Sequence, residues 1–210
     1  DIEFYNWSDA TGPLEAVDEI LSDLRDFSYR TIVIDDTMRA DHAALIQDRL
    51  LNSNRLFTAS TIGTLRMQKD ATEQDILRVN AHQADIAMRK AWDIIKPGLT
   101  EENIALAIQN SFSDQGALPQ FSIVASGSNS AFPHHQTGPR KLKEGDVIVI
   151  DLGGKFEGYA SDITRMSTIG PPPKEYTLVH QIVEDAVCAA MAAARPGQIA
   201  KNVDRAAREV

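Results

Sequence analysis

The sequence predicts a mixed α/β (α+β) chain in two parts, and three observations carry that prediction. Residues 1–65 alternate short β-branched runs with amphipathic stretches, the pattern of an open α/β sheet. Beyond them, a long apolar-striped segment, a Pro-Gly break and a second striped segment occur twice, around Pro97-Gly98 and around Pro196-Gly197. Between the two copies, residues 145–170 (GDVIVIDLGGKFEGYASDITRMSTIG) read as two adjacent strands.

Taken in order, residues 3–7 predict a short strand. Residues 13–24 predict a helix with Leu14, Val17, Ile20, Leu21 and Leu24 at helical spacing. Residues 31–34 form a strand, 39–51 a helix with Ala43, Leu45, Ile46, Leu50 and Leu51 apolar, and 55–59 a further strand. This first unit, residues 1–65, opens on a strand, and the natural domain is expected to begin upstream of Asp1.

The second unit, residues 66–210, enters through Thr72 as helix N-cap, with Glu73, Gln74 and Asp75 in the first turn. Its helix runs to about Ile95, where Pro97-Gly98 stops it. Ile76, Leu77, Val79, Ala84, Ala87, Met88 and Ala91 are read as its core stripe. A second helix spans 101–112, and strands follow at 121–124 and in the 145–170 hairpin. Pro171-Pro172-Pro173 is a rigid break before a long helix at 174–194, and a last helical segment covers 200–210. Pro97 and Pro196, Gly98 and Gly197, and Asn103 and Asn202 share one offset, which reads as a duplication. A duplicated second copy should also end in strands, so the chain is expected to continue past Val210. Its sheet edge and apolar helix faces are then expected to lie uncovered here.

Composition narrows the function. The chain has 210 residues, 43% of them apolar and 24% charged, enough for an ordinary core. A net charge of −9 argues against nucleic acid or an anionic membrane surface as partner, because both need a basic face. No apolar run approaches the roughly 18 residues of a transmembrane helix, and the acidic start has no signal-peptide pattern. The single cysteine, Cys188, cannot form an internal disulfide and is read as a small buried side chain. A reducing, cytoplasmic setting fits.

Chemistry concentrates in the hairpin. Asp151 ends an apolar β-branched run at 147–150, and Gly153-Gly154 are read as the turn. Phe156, Gly158 and Ala160 then alternate with Glu157, Tyr159 and Ser161 as the chain returns to Asp162. A carboxylate at the end of a buried strand is costly unless something pairs with it. Two that face each other across a hairpin repel, and a bound cation resolves both problems. Taken alone, however, a strand-end aspartate more commonly caps a turn than binds a metal.

Residues 65–210 resemble the pita-bread metallopeptidases, in the prolidase and Xaa-Pro aminopeptidase branch. The stretches that carry the resemblance are LRMQKDATEQD, IKPGLTE, IVASGSNSAFPHH and LKEGDVIVIDLGGKFEGYASDITRMSTIG, the last ending in Ser-Asp-Ile-Thr-Arg. Residues 1–65 resemble the back part of these enzymes' smaller N-terminal domain. The resemblance implies that Asp151 and Asp162 are ligands of a two-metal site, with Asp162 shared between the ions. It implies that His134 lies beside the metals as the catalytic histidine and that His134 and His135 contact substrate. It further implies two divalent ions, manganese foremost with cobalt or zinc able to substitute, a proline-containing peptide substrate, and a homodimer. The reaction implied is metal-assisted hydrolysis of an Xaa-Pro bond.

The departures from the family pattern are specific. The family completes its site with a His and two Glu beyond the region matching residue 210, so the 210 residues are expected to be inactive alone. His135 stands where a small residue is common. Two other readings stay open: a metal-free, creatinase-like hydrolase of a C–N bond, and a non-catalytic pita-bread binding module. Methionine aminopeptidase is set lower, because it typically lacks the preceding α/β domain.

The remaining polar residues have plainer expectations. His42, His82 and His180 are read as structural or surface groups, and Arg165 as pairing with a nearby carboxylate. Asn129 is read as fixing its own loop through an Asx-type turn. The run Arg140-Lys141-Leu142-Lys143 is read as a solvated approach to the hairpin rather than a basic binding patch.

Overall fold

The computed structural model describes residues 3–23 and 31–210. The chain divides into two compact units, Asp1–Ala71 and Thr72–Val210, against an expected boundary after residue 65.

In the first unit, α1 (Leu14–Asp23) precedes β1 (Thr31–Ile34), α2 (Ala40–Arg49), β2 (Asn54–Phe57) and a short α3 (Gly63–Met67). Leu24, expected on the first helix, lies outside the described residues. Strands β1 and β2 pair in parallel, Thr31 against Asn54 through Ile34 against Phe57, as a β-α-β crossover requires. The strand expected at residues 3–7 does not form, because extended backbone becomes a strand only beside a partner and no described strand lies alongside it. The third expected strand ends early: Asp36 accepts from Thr58 Oγ1 at 2.6 Å and Ala59 N at 2.8 Å, which turns the chain into a short 3₁₀ segment.

The second unit begins with α4 (Ala71–Ile94), which includes Thr72 rather than being capped by it. Helix α5 (Glu101–Asp114) follows the Pro97-Gly98 break, where Gly98 takes φ 90°. Thr100 and Asn103 close a reciprocal capping box at its start. Strands β3 (Leu118–Ser126), β4 (Val147–Phe156), β5 (Tyr159–Ala160) and β6 (Ile163–Thr168) form an antiparallel sheet with β4 at its centre. Helices α6 (Tyr176–Ala193) and α7 (Ala200–Arg208) repeat the helix, Pro-Gly, helix order of α4 and α5, with Gly197 at φ 82°.

Burial explains the sheet's two-sidedness. Alternate β4 residues Ile148, Ile150 and Leu152 are sealed against Met88 and the alanines Ala84, Ala87 and Ala91 of α4, and against Ile104, Ile108 and Phe112 of α5. Small residues on α4 let the helix approach closely, and fully burying a side chain such as Phe112 stabilises by about 1.5–3 kcal/mol. Val79 falls off this stripe at 45% exposure; Asn80 and Gln83 take the buried positions instead, their side-chain amides donating hydrogen bonds to the Phe156 and Gln115 carbonyls.

Helix α6 presents the opposite case. None of its residues is buried, and Val179, Val183, Val187 and Met191, spaced by four, are all more than half exposed. Between it and β6 lies a cleft of about 790 Å³ lined by Val147, Met166, Val179, Val183 and Cys188 among others. Cys188 is therefore exposed, contrary to the buried position expected of it. Among the described residues no helix is long and apolar enough to cross a membrane.

Candidate metal centre and histidine loop

The hairpin differs from its sequence reading in one consequential way. Strand β4 does not end at Asp151 but runs through it and through Gly153-Gly154 to Phe156. The turn is Glu157-Gly158, with Glu157 at φ 49° and Gly158 at φ 84°. Both glycines sit inside the strand because close neighbours exclude side chains. A Cβ at Gly154 would lie 2.5 Å from the Phe112 ring, and one at Gly153 equally close to Phe121.

Register then places the carboxylates. Lys155 pairs with Ala160 and Leu152 with Ile163, so the ladder passes unshifted across the gap between β5 and β6; Ser161 N donates to Gly154 O at 2.8 Å within it. Asp151 pairs with Thr164, and Asp162 falls opposite Gly153. Side chains directly opposite, and those two apart along a strand, share a face. Asp151, Thr164 and Asp162 therefore lie on one face, the one turned away from α4 and α5. The two aspartates are diagonal neighbours, a relation that separates Cα atoms by roughly 7–8 Å, rather than directly opposed.

Their partners differ. Asp151 Oδ1 accepts a 2.7 Å hydrogen bond from Thr164 Oγ1. Asp162 is exposed and has no hydrogen-bond or ion-pair partner among the described residues. Arg165, expected to pair with a carboxylate, instead donates to the Thr164 carbonyl at 2.8 Å. Among the described residues no group of three or more His, Cys, Asp and Glu side chains gathers as a metal shell. The two aspartates are thus a partial donor set.

The histidines lie on the loop after β3. A 3₁₀ segment, Gly127–Ala131, leads to Phe132, Pro133 and the exposed His134, whose ring has no partner among the described residues. His135 is different: its Nε2 lies 2.9 Å from Glu101 Oε2, and its side chain is 15% exposed. The loop then returns along β3, where Thr137 Oγ1 accepts from Val124 N at 2.8 Å.

Glu101 organises this loop. It is the first residue of α5 and fully buried. Its Oε1 accepts from Ser126 N and Ser126 Oγ, both at 2.7 Å, and from Asn129 Nδ2 at 3.0 Å. Burial alone would raise its carboxyl pKa, but the hydrogen bonds from Ser126, His135 and Asn129 prevail and hold it below the usual carboxylate range. Asn129 thus acts through Glu101 and not through the expected Asx turn.

A second, part-buried pair supports the first. Arg140 grips Asp146 with two bonds of 2.7 and 2.9 Å, and also donates to Ser126 Oγ. The Arg140 guanidinium lowers the Asp146 carboxyl pKa, and Asp146 raises that of Arg140 in turn. Arg140 is therefore part of the scaffold, and Leu142 is buried at 1% exposure, where a solvated run was expected. His180 lies 3.9 Å from Glu184 on exposed α6, in keeping with a surface role. Sequence reasoning missed Glu101, Ser126 and Asp146. The one available signal was an acidic residue three positions after the Pro-Gly break of the first copy, where the second copy has Ala200.

Comparison with known proteins follows the same lines. Residues 75–210 match the metallopeptidase family M24. The probable dipeptidase PepE of Mycobacterium tuberculosis is 33% identical over 207 residues, covering 98% of this chain and 54% of that protein. The Xaa-Pro dipeptidase of Pyrococcus furiosus is 36% identical over 151 residues, 71% of this chain and 43% of that one. Among solved structures, the recombinant prolidase of Thermococcus sibiricus aligns with a TM-score of 0.87 at 31% identity, covering 100% of this chain and 57% of that one. The chain spans about half the length of the relatives it matches and shares their pita-bread architecture. On these grounds the chain belongs to metallopeptidase family M24.

Proposed function

We propose that the protein carrying this chain is a metal-dependent exopeptidase that hydrolyses Xaa-Pro bonds, an Xaa-Pro dipeptidase or aminopeptidase. The observation that carries this reading is the placement of Asp151 and Asp162 on one face of the sheet, with the side-chain-free Gly153 opposite Asp162 and Asp162 without a partner among the described residues. It is supported by the family match and by relatives named Xaa-Pro dipeptidase.

The donor chemistry fits. Hard divalent ions take oxygen ligands, which the two carboxylates supply, and the family resemblance implies a pair of ions. Asp151 and Asp162 would hold them, with manganese the foremost candidate. Each such ion takes about six ligands, so two aspartates alone do not complete the site, and the 210 residues by themselves are expected to be inactive. When bound, the ions supply Lewis acidity, which lowers the pKa of a water and offsets charge on the scissile carbonyl oxygen.

The chain's own groups do the rest. Thr164 holds Asp151 by its hydroxyl and orients that carboxylate. His134, exposed and without a partner among the described residues, donates to the substrate carbonyl oxygen or to the tetrahedral oxyanion. The Nε2 of His135 is committed to Glu101, so contact of His135 with substrate falls to its Nδ1 edge.

Manganese binding followed by electron paramagnetic resonance tests the reading. The complete gene product should bind Mn²⁺, and Asp151→Asn or Asp162→Asn should weaken binding by at least about tenfold, the order seen when a metal site loses a supporting group. Unchanged binding in both variants would remove the two aspartates from the site.

A further inference from the structure

Glu101 has a feature that helix formation does not explain. A fully buried carboxylate is costly to desolvate, yet it stands at the first turn of α5, where a surface residue would serve. The start of α5 does not need it. Thr100 and Asn103 already close the capping box, and the Glu101 and Glu102 amides donate to the Arg140 and Gly138 carbonyls. The duplicated segment makes the same point: α7 restarts after its Pro-Gly break with Ala200 at the equivalent position and Ile199 ahead of it. A carboxylate is therefore dispensable to the motif and present only in the copy that precedes the histidine loop.

Its partners say what it is for. Among the described residues, every donor to the Glu101 carboxylate comes from residues 126–135: Ser126 by two groups, Asn129 and His135. These flank His134 on both sides, while His134 itself has no partner among the described residues. Ser126 N–H and the Asn129 amide NH₂ can only donate, which matches an ionised carboxylate with four lone-pair sites. An ionised carboxylate can only accept, so the His135 ring must carry its proton on Nε2.

We propose that Glu101 is a positioning residue of the histidine loop: it clamps Ser126, Asn129 and His135 so that His134 is presented to the substrate in one fixed orientation. The inference rests on the proposed role of His134. His135 then acts as the loop's anchor.

The test combines two readouts that need no activity with one that does, on the complete gene product. Histidine-selective ¹⁵N spectroscopy should show His135 as the Nε2–H tautomer. By hydrogen exchange, Glu101→Gln and His135→Leu should speed exchange of residues 127–135 by about tenfold while β4 and α5 keep their protection. His135→Gln, which keeps a donor in place of Nε2, should restore it. In the metal-loaded enzyme, Glu101→Gln should lower kcat while Mn²⁺ affinity stays unchanged. An Nδ1–H tautomer would overturn the proposal. So would loop exchange unaffected by both variants, protection lost equally throughout the unit, or His135→Leu matching His135→Gln. If the loop responds as predicted but no substrate is cleaved, the clamp stands and the peptidase reading falls.

Discussion

At the scale of residues, two buried carboxylates make the second unit's stability depend on acid. Glu101 and Asp146 both have lower pKa values folded than unfolded, the first through hydrogen bonds that outweigh its burial and the second through Arg140. Their contribution is complete above the ordinary carboxylate range, near pH 4, and is lost as pH falls below it through the folded values. Urea denaturation should show a midpoint that is level from pH 7 to about 5 and drops below about 4. Glu101→Gln should flatten part of that drop, and a drop of the same depth in this variant would assign the acid sensitivity elsewhere. Arg140 was misread in the sequence because a basic run looks solvated until its partner is known, and Asp146 lies six residues further along a turn.

At the scale of elements, the hairpin shows both what the sequence reveals and what it hides. The two strands, their order and both aspartates were legible, because an apolar β-branched run is distinctive. The turn was not. A Gly-Gly pair reads as a turn by conformational freedom, yet these glycines are in the strand because Phe112 and Phe121 leave no room for a Cβ. That constraint comes from residues more than thirty positions away and has no local signature. It predicts a stability effect with no turn effect: Gly154→Ala should destabilise by about 1–3 kcal/mol, the usual cost of overpacking a filled core. Phe112→Leu, by freeing space, should recover part of the loss in the double variant. Additive losses in denaturant titration would show that the two positions do not meet. The first-unit strand at 3–7 failed for a related reason, since strand formation depends on a neighbour that local sequence does not name.

For the whole molecule, the duplication was the most informative long-range pattern. It placed both helix pairs and their Pro-Gly breaks, and the uncovered apolar face of α6 agrees with the expectation that helix faces lie open here. What the pattern could not supply was the asymmetry between the copies: Thr100, Glu101 and the histidine loop belong to the first, and Ile199 and Ala200 mark the second. The role proposed for the aspartate pair is metal-dependent hydrolysis of Xaa-Pro bonds. The most direct measurement is hydrolysis of an Xaa-Pro dipeptide and an Xaa-Pro-Yaa tripeptide by the complete gene product, after chelation and again with Mn²⁺ restored. A metal-dependent Xaa-Pro peptidase should show no cleavage after chelation and recovery with the metal, with the preferred length separating dipeptidase from aminopeptidase. Cleavage that survives chelation, or none of either peptide with Mn²⁺ present, would contradict it.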